Sequence, residues 1–101
     1  MTPEKKVKNA VVKILKEYAN LYYFYPVMGG YGASGIPDIV GCYCGRFFAI
    51  ECKAGKGKTT ALQEREIGRI QAAKGWAFVI SELNVEHVEE LLRMEKQRET
   101  D

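Results

Sequence analysis

Two β-prone runs, Asp38 to Tyr43 and Arg46 to Lys53, are separated only by Cys44-Gly45. A two-residue gap ending in glycine predicts an antiparallel hairpin. This feature constrains the fold most, because a tight turn also fixes the register of the strands. Tyr43 then faces Arg46, and counting outward sets Asp38 opposite Glu51. Opposed residues on one face have Cβ atoms about 5 Å apart. Alternation along the strand puts Lys53 on the same face as Glu51. Two acids and a lysine therefore converge at the open end of the hairpin. The inference depends on turn length, since a slip of one residue moves Asp38 off register.

Stability does not favour such an arrangement. Two carboxylates about 5 Å apart repel by roughly 3 kcal/mol at an effective dielectric near 20. A divalent cation converts the repulsion into attraction, and magnesium commonly takes one or two carboxylates together with water and phosphate oxygens. A lysine beside them can orient a water and steady a charged phosphate. The alternative is a solvated strand end, with Lys53 pairing one acid.

The rest of the chain supplies layers for this hairpin. Thr2-Pro3-Glu4 reads as a helix start, and Val7, Ala10, Val11, Ile14, Leu15 and Tyr18 continue at helical spacing, predicting a helix from Pro3 to about Ala19. Leu21 to Val27 is aromatic and β-prone, with Pro26 marking an edge or an end. Thr60 to Lys74 reads as a second helix, with Leu62, Ile67, Ile70 and Ala73 toward the core and Gly75 as its stop. Trp76 to Ile80 is an apolar strand. Asn84 is placed to cap a last helix through Val85, Val88, Leu91 and Leu92, and the charged tail 95–101 is expected to fray. The expectation is one α/β domain over residues 1–101, in the order α-β-β-β-α-β-α, with a mixed sheet flanked by helices.

These residues carry a resemblance. Gly35-Ile36-Pro37-Asp38 followed by Glu51-Cys52-Lys53 resembles the PD-(D/E)XK nuclease superfamily, whose restriction-endonuclease-like core has the order α-β-β-β-α-β. Gly-x-Pro-Asp, Glu-x-Lys, a Gly/Lys loop and then Gln63 are similar to its virus-type replication-repair nuclease (VRR-NUC) family, over about Glu4 to Ile80. The resemblance implies that Asp38, Glu51 and the backbone carbonyl of Cys52 ligate Mg2+, for which Mn2+ substitutes. It makes Lys53 the catalytic lysine. Glu4 matches a helical acid that reaches the metal, through water or directly, and Gln63 matches a glutamine lining the site. Glu4 could equally complement the helix dipole, although its spacing to Val7 and Val11 sets it on the core-facing stripe. Gln63 could equally close a capping box with Thr60. The implied activity is hydrolysis of phosphodiesters in branched DNA such as Holliday junctions, by a homodimer in the cytoplasm of a bacterial or phage-infected cell. The alternatives are a non-catalytic DNA-binding or interaction module on the same fold, and a sequence-specific restriction-type nuclease.

Composition narrows the classes. A net charge of +2 is too small for binding by phosphate neutralisation alone, so DNA contacts must come from local patches. No Lys or Arg lies between Glu17 and Gly45, which leaves Lys5, Lys6, Lys8, Arg46, Lys56, Lys58, Arg65 and Arg69 as candidates. The N-terminal MTPEKKVKNA shows no apolar run for a signal peptide, and no stretch reaches membrane-spanning length. Gly30 to Gly35 fits a dinucleotide fingerprint literally. Pro37 and a strand follow where a helix must open, so no nucleotide cofactor is expected. Cys42, Cys44 and Cys52 with the lone His87 lack zinc-finger spacing and read as free thiols.

Overall fold

Helix α1 spans Pro3–Leu15 and starts as its sequence dictates: the Thr2 hydroxyl accepts from the Lys5 N–H at 3.1 Å, and Pro3 occupies the first turn. The structure is a computed structural model that describes residues 1–27 and 35–100. Val7, Val11, Val12 and Leu15 form the buried stripe of α1. The helix ends four residues short of Ala19. Its last bonds tighten to three-residue spacing, with Glu17 N–H donating to Ile14 O and Tyr18 N–H to Leu15 O, and Asn20 then turns the chain at a φ of 63°.

The strands are β1 (Tyr22–Phe24), β2 (Ile39–Tyr43), β3 (Arg46–Cys52) and β4 (Trp76–Ile80), with α2 (Ala61–Ala72) between β3 and β4 and α3 (Glu86–Thr100) last. They form one sheet in the order β1-β2-β3-β4. The first two pairings are antiparallel, and β3 and β4 are parallel, the crossover that requires a helix between them. The element order and mixed sheet match the restriction-endonuclease-like core. β1 is shorter than the expected Leu21 to Val27, an edge strand that ends before Pro26. The glycine-rich stretch 28–34 lies outside the described residues.

The hairpin register is the one its turn dictates. Cys44 and Gly45 have φ of 52° and 79°, both left-handed, as a two-residue turn with right-handed strand twist requires. Tyr43 pairs with Arg46 and Ile39 with Ile50, so the next step outward sets Asp38 beside Glu51. On one face Ile39, Tyr43, Phe48, Ile50, Cys52 and Ile80 pack with Val7, Val11 and Leu15 of α1 and Val88 and Leu92 of α3. Helix α2 covers the other face over β4.

Three sequence expectations for the helices are corrected. Leu62 (43% exposed) and Ala73 do not face a core, and no residue of α2 is buried, because the helix meets only one side of a narrow sheet. The left-handed residue ending α2 is Lys74, at a φ of 72°. Gly75 serves packing instead: a Cβ there would stand 2.9 Å from Ile70 Cγ2 and 3.1 Å from Phe47 O. Asn84 does not cap α3 with its side chain. It turns back to β4, accepting from Ser81 N–H at 2.7 Å and donating to Val79 O at 3.2 Å.

The tail expected to fray is helical through Thr100. Glu95, only 4% exposed, holds it in place by pairing with Arg46 at 3.2 Å and Arg98 at 2.6 Å. Arg46 also donates to Lys74 O at 2.7 Å, and Arg98 to Cys44 O at 3.2 Å. A buried carboxylate thus ties the hairpin turn to α3. Arg46→Ala leaves Glu95 with one partner and is expected to lower stability by about 3 kcal/mol in urea titration, with divalent-metal affinity unchanged. An unaltered urea midpoint would show that the network adds nothing.

Candidate metal centre

Gly35, at a φ of 84°, begins the approach to the site. A Cβ there would fall 2.5 Å from the Leu62 carbonyl carbon and 2.7 Å from Gln63 N, so only glycine lets the chain touch the first turn of α2. Pro37 is buried, and Asp38 follows at the mouth of β2. The Cys52 N–H donates to Asp38 Oδ2 at 2.9 Å, which pins the aspartate across the end of the hairpin.

Glu51 lies on the α2 face of β3, 3% exposed. Its Oε2 accepts from Gln63 Nε2 at 3.1 Å and stands 3.6 Å from Lys53 Nζ. Its Oε1 is buried and has no hydrogen-bond partner among the described residues. Glu4, in the first turn of α1, reaches round the sheet end, and carboxylate oxygens of Glu4, Asp38 and Glu51 lie within 4.8 Å of one another. Glu4 is exposed, Asp38 half-buried and Glu51 buried, so the cluster opens to solvent from the α1 side. Three side chains far apart in sequence thus meet at one point.

Burial, and then the neighbouring Asp38, push the Glu51 carboxyl from its ordinary 4.5 up to about 7, against the pull of the Lys53 ammonium. A carboxylate with a buried lone oxygen and two acidic neighbours fits a cation. The donor set is all oxygen, which suits a hard ion over a thiolate-seeking one. These residues could hold a metal ion.

The two readings of Gln63 are compatible. Its Oε1 accepts from Thr60 N–H at 2.9 Å and its N–H donates to Thr60 Oγ1 at 3.1 Å, closing the capping box, while its Nε2 still reaches Glu51. Cys52 turns its thiol into the core, where burial first and then Asp38 and Glu51 push it up to about 12. Among the described residues the metal-competent cluster is carboxylate only, without cysteine or histidine. His87 packs on Phe78 and pairs with Glu90.

The basic residues divide. Lys5 and Lys8 line a cleft of about 170 Å³ with Thr2, Glu4, Asp38 and Cys52. Lys6 lies instead on a groove with Val7, Ala10 and Val85. Lys56 and Lys58 are exposed on the loop that follows Lys53, which Gly55 N–H ties to Glu82 at 2.7 Å. Arg46 sits at the turn end of β3, at the opposite end of the strand from Glu51, and is engaged by Glu95. A cleft of about 670 Å³ lies at that same turn end beside Tyr18, Tyr43 and Glu99 and shares no residue with the acids. In the sequence Lys8 is one basic residue among several. Its spacing of four from Glu4 on one helix was the signal that it borders the acids.

Comparison with protein-family models and with curated proteins finds no match.

A raised folded pKa on an acid means that the folded state binds its proton more tightly than the unfolded state. The penalty is absent below about pH 4.5 and complete above about pH 7. Metal-free protein is therefore expected to lose about 3 kcal/mol from Glu51 as pH rises through that window, and Glu51→Gln to remove the loss. Thermal denaturation across pH with EDTA checks this. Added MgCl2 should raise the melting temperature more at pH 8 than at pH 5.

Proposed function

We propose that this protein is a magnesium-dependent endonuclease that hydrolyses phosphodiester bonds in DNA. The observation that carries the reading is the meeting of Glu4, Asp38 and Glu51 within 4.8 Å, with Lys53 3.6 Å from Glu51 and one Glu51 oxygen unpartnered among the described residues. The order of Gly35, Asp38, Glu51, Lys53 and Gln63 in the chain, and its resemblance to the VRR-NUC pattern, supports the same reading.

Asp38, Glu51 and Glu4 would hold the cation, with the carbonyl of Cys52 assigned beside them by the resemblance alone. When bound, the cation supplies Lewis-acid polarisation of a phosphoryl oxygen and a water made acidic enough to attack. The protein's own groups do the rest. The Cys52 N–H fixes Asp38, and the Gln63 amide fixes one Glu51 oxygen so that the other is free. The Lys53 ammonium stands where it can orient the attacking water and balance charge that builds on phosphate. Water adds to phosphorus, the bond to the 3′ oxygen breaks, and the products carry 5′-phosphate and 3′-hydroxyl ends.

Branched DNA, such as a four-way junction, is the proposed substrate class, and a homodimer the proposed assembly. Register aligns Tyr22, Cys42 and Phe47 in a row across three strands on the outer face, all exposed, with Tyr22 at 68%. Asp38 is the only charged residue from 18 to 45, a charge depletion that suits the core of an interface over a phosphate-binding face. We place the pairing of two copies on this face, beside the open edge of β1. Sedimentation equilibrium should give a dimer that Tyr22→Lys with Phe47→Lys converts to monomer. A monomeric wild type would remove the assembly from the proposal.

The activity is tested with a labelled four-way junction and its linear arms, in MgCl2 and in EDTA. Wild type is expected to cut the junction only with metal. Lys53→Ala should lower the rate by about 100-fold or more, and Gln63→Ala should weaken metal affinity about tenfold. If folded wild type cuts neither junction, flap nor single strand with Mg2+ or Mn2+, a non-catalytic DNA-binding module becomes the better account.

A further inference from the structure

The acids have a cation on each side. Lys53 borders them from β3. Lys8 borders them from α1, one helical turn after Glu4, so the two side chains leave the same face of the helix. Lys8 is half-buried and lines the cleft with Glu4, Asp38 and Cys52. Its ammonium stands 4.4 Å from the centroid of the Tyr25 ring. Tyr25 follows β1, and the pairing of Phe24 with Val40 brings it to the same end of the sheet as Asp38.

Tyr25 matters because of what a ring does not do. A carboxylate that held this lysine would also cancel its charge. An aromatic face positions an ammonium and leaves the charge available. Lys53 is already committed to Glu51, and among the described residues no ion pair takes up Lys8. Lys5, exposed, lines the same cleft, so Lys8 is one of two ammonium groups there and the one that an aromatic ring holds.

We propose that Lys8 binds a backbone phosphate of the DNA strand on the α1 side of the acids, with the Tyr25 ring as its support. This rests on the nuclease reading above and adds to it a substrate-binding residue and the direction from which the strand enters. Lys8 contacts phosphate and takes no part in holding the metal. Tyr25 is a positioning residue.

Fluorescence anisotropy of a fluorescein-labelled four-way DNA junction tests this, with CaCl2 as the metal and a series of KCl concentrations. Circular dichroism on each variant verifies folding. Lys8→Ala is expected to bind about tenfold more weakly and to reduce the slope of log affinity against log salt by about one. Lys8→Arg should keep both affinity and slope. Tyr25→Leu, which retains the charge, should weaken binding about threefold with the slope unchanged. Calcium affinity of Lys8→Ala by titration calorimetry should equal or exceed that of wild type. If Lys8→Ala keeps the wild-type slope, whether its affinity falls or not, the proposal is overturned while the nuclease reading stands on the cleavage assay. A wild type that neither binds nor cuts the junction overturns the nuclease reading and this proposal with it.

Discussion

Everything at the open end of the hairpin depends on a carboxylate held away from water. Glu51 sits at 3% exposure beside Asp38 and Glu4, with one oxygen bonded by Gln63 and the other without a hydrogen-bond partner among the described residues. Burying an ionisable acid among other acids is unfavourable unless something arrives to offset it. The surrounding structure reads as a device for tolerating that state. The Cys52 amide draws Asp38 aside, Lys53 lies close by, and α2 presents an amide where a hydrophobic side chain would have packed more simply. An arrangement that works against its own stability, yet is fixed by three separate elements, is what marks a candidate site.

The hairpin divides that burden along its length. At the turn end, Arg46 and Arg98 enclose Glu95 and bind β3 to α3. At the open end, the acids lack such cations in full measure. One buried carboxylate is neutralised by two guanidinium groups, and the other has a single lysine beside it. The sheet core between them, Phe48, Ile50 and Cys52 against α1 and α3, lets the stabilised end hold the strained end in register.

Most of the fold and the heart of the site were legible because they rest on short-range rules. A two-residue turn fixes register, register fixes which side chains face each other, and Asp38, Glu51 and Lys53 follow. Thr2 and Thr60 announced their helices by cap chemistry. What escaped depends on partners distant in the chain. The buried Glu95 looked like part of a charged tail because its partner Arg46 lies on another element, and Arg46 looked free for the same reason. Leu62 obeyed helical spacing but faces no core, since periodicity tells which face is apolar and not whether anything covers it. Lys74 took the left-handed position from Gly75 because Gly75 was needed where Phe47 and Ile70 leave no room for a side chain.

The double engagement of Gln63 narrows what can replace it. At a helix start, glutamate closes a capping box as well as glutamine does. Here it would exchange the one neutral donor on Glu51 for a fourth negative charge. Asparagine keeps the amide but is a methylene shorter, and the two contacts it would need lie at opposite ends of the glutamine head group. Secondary-structure fitness and site fitness thus agree at this position on a single side chain, although each alone would accept others. A chain that carries glutamate there should still fold its helix, but Glu51 would then face a carboxylate where an amide now orients it.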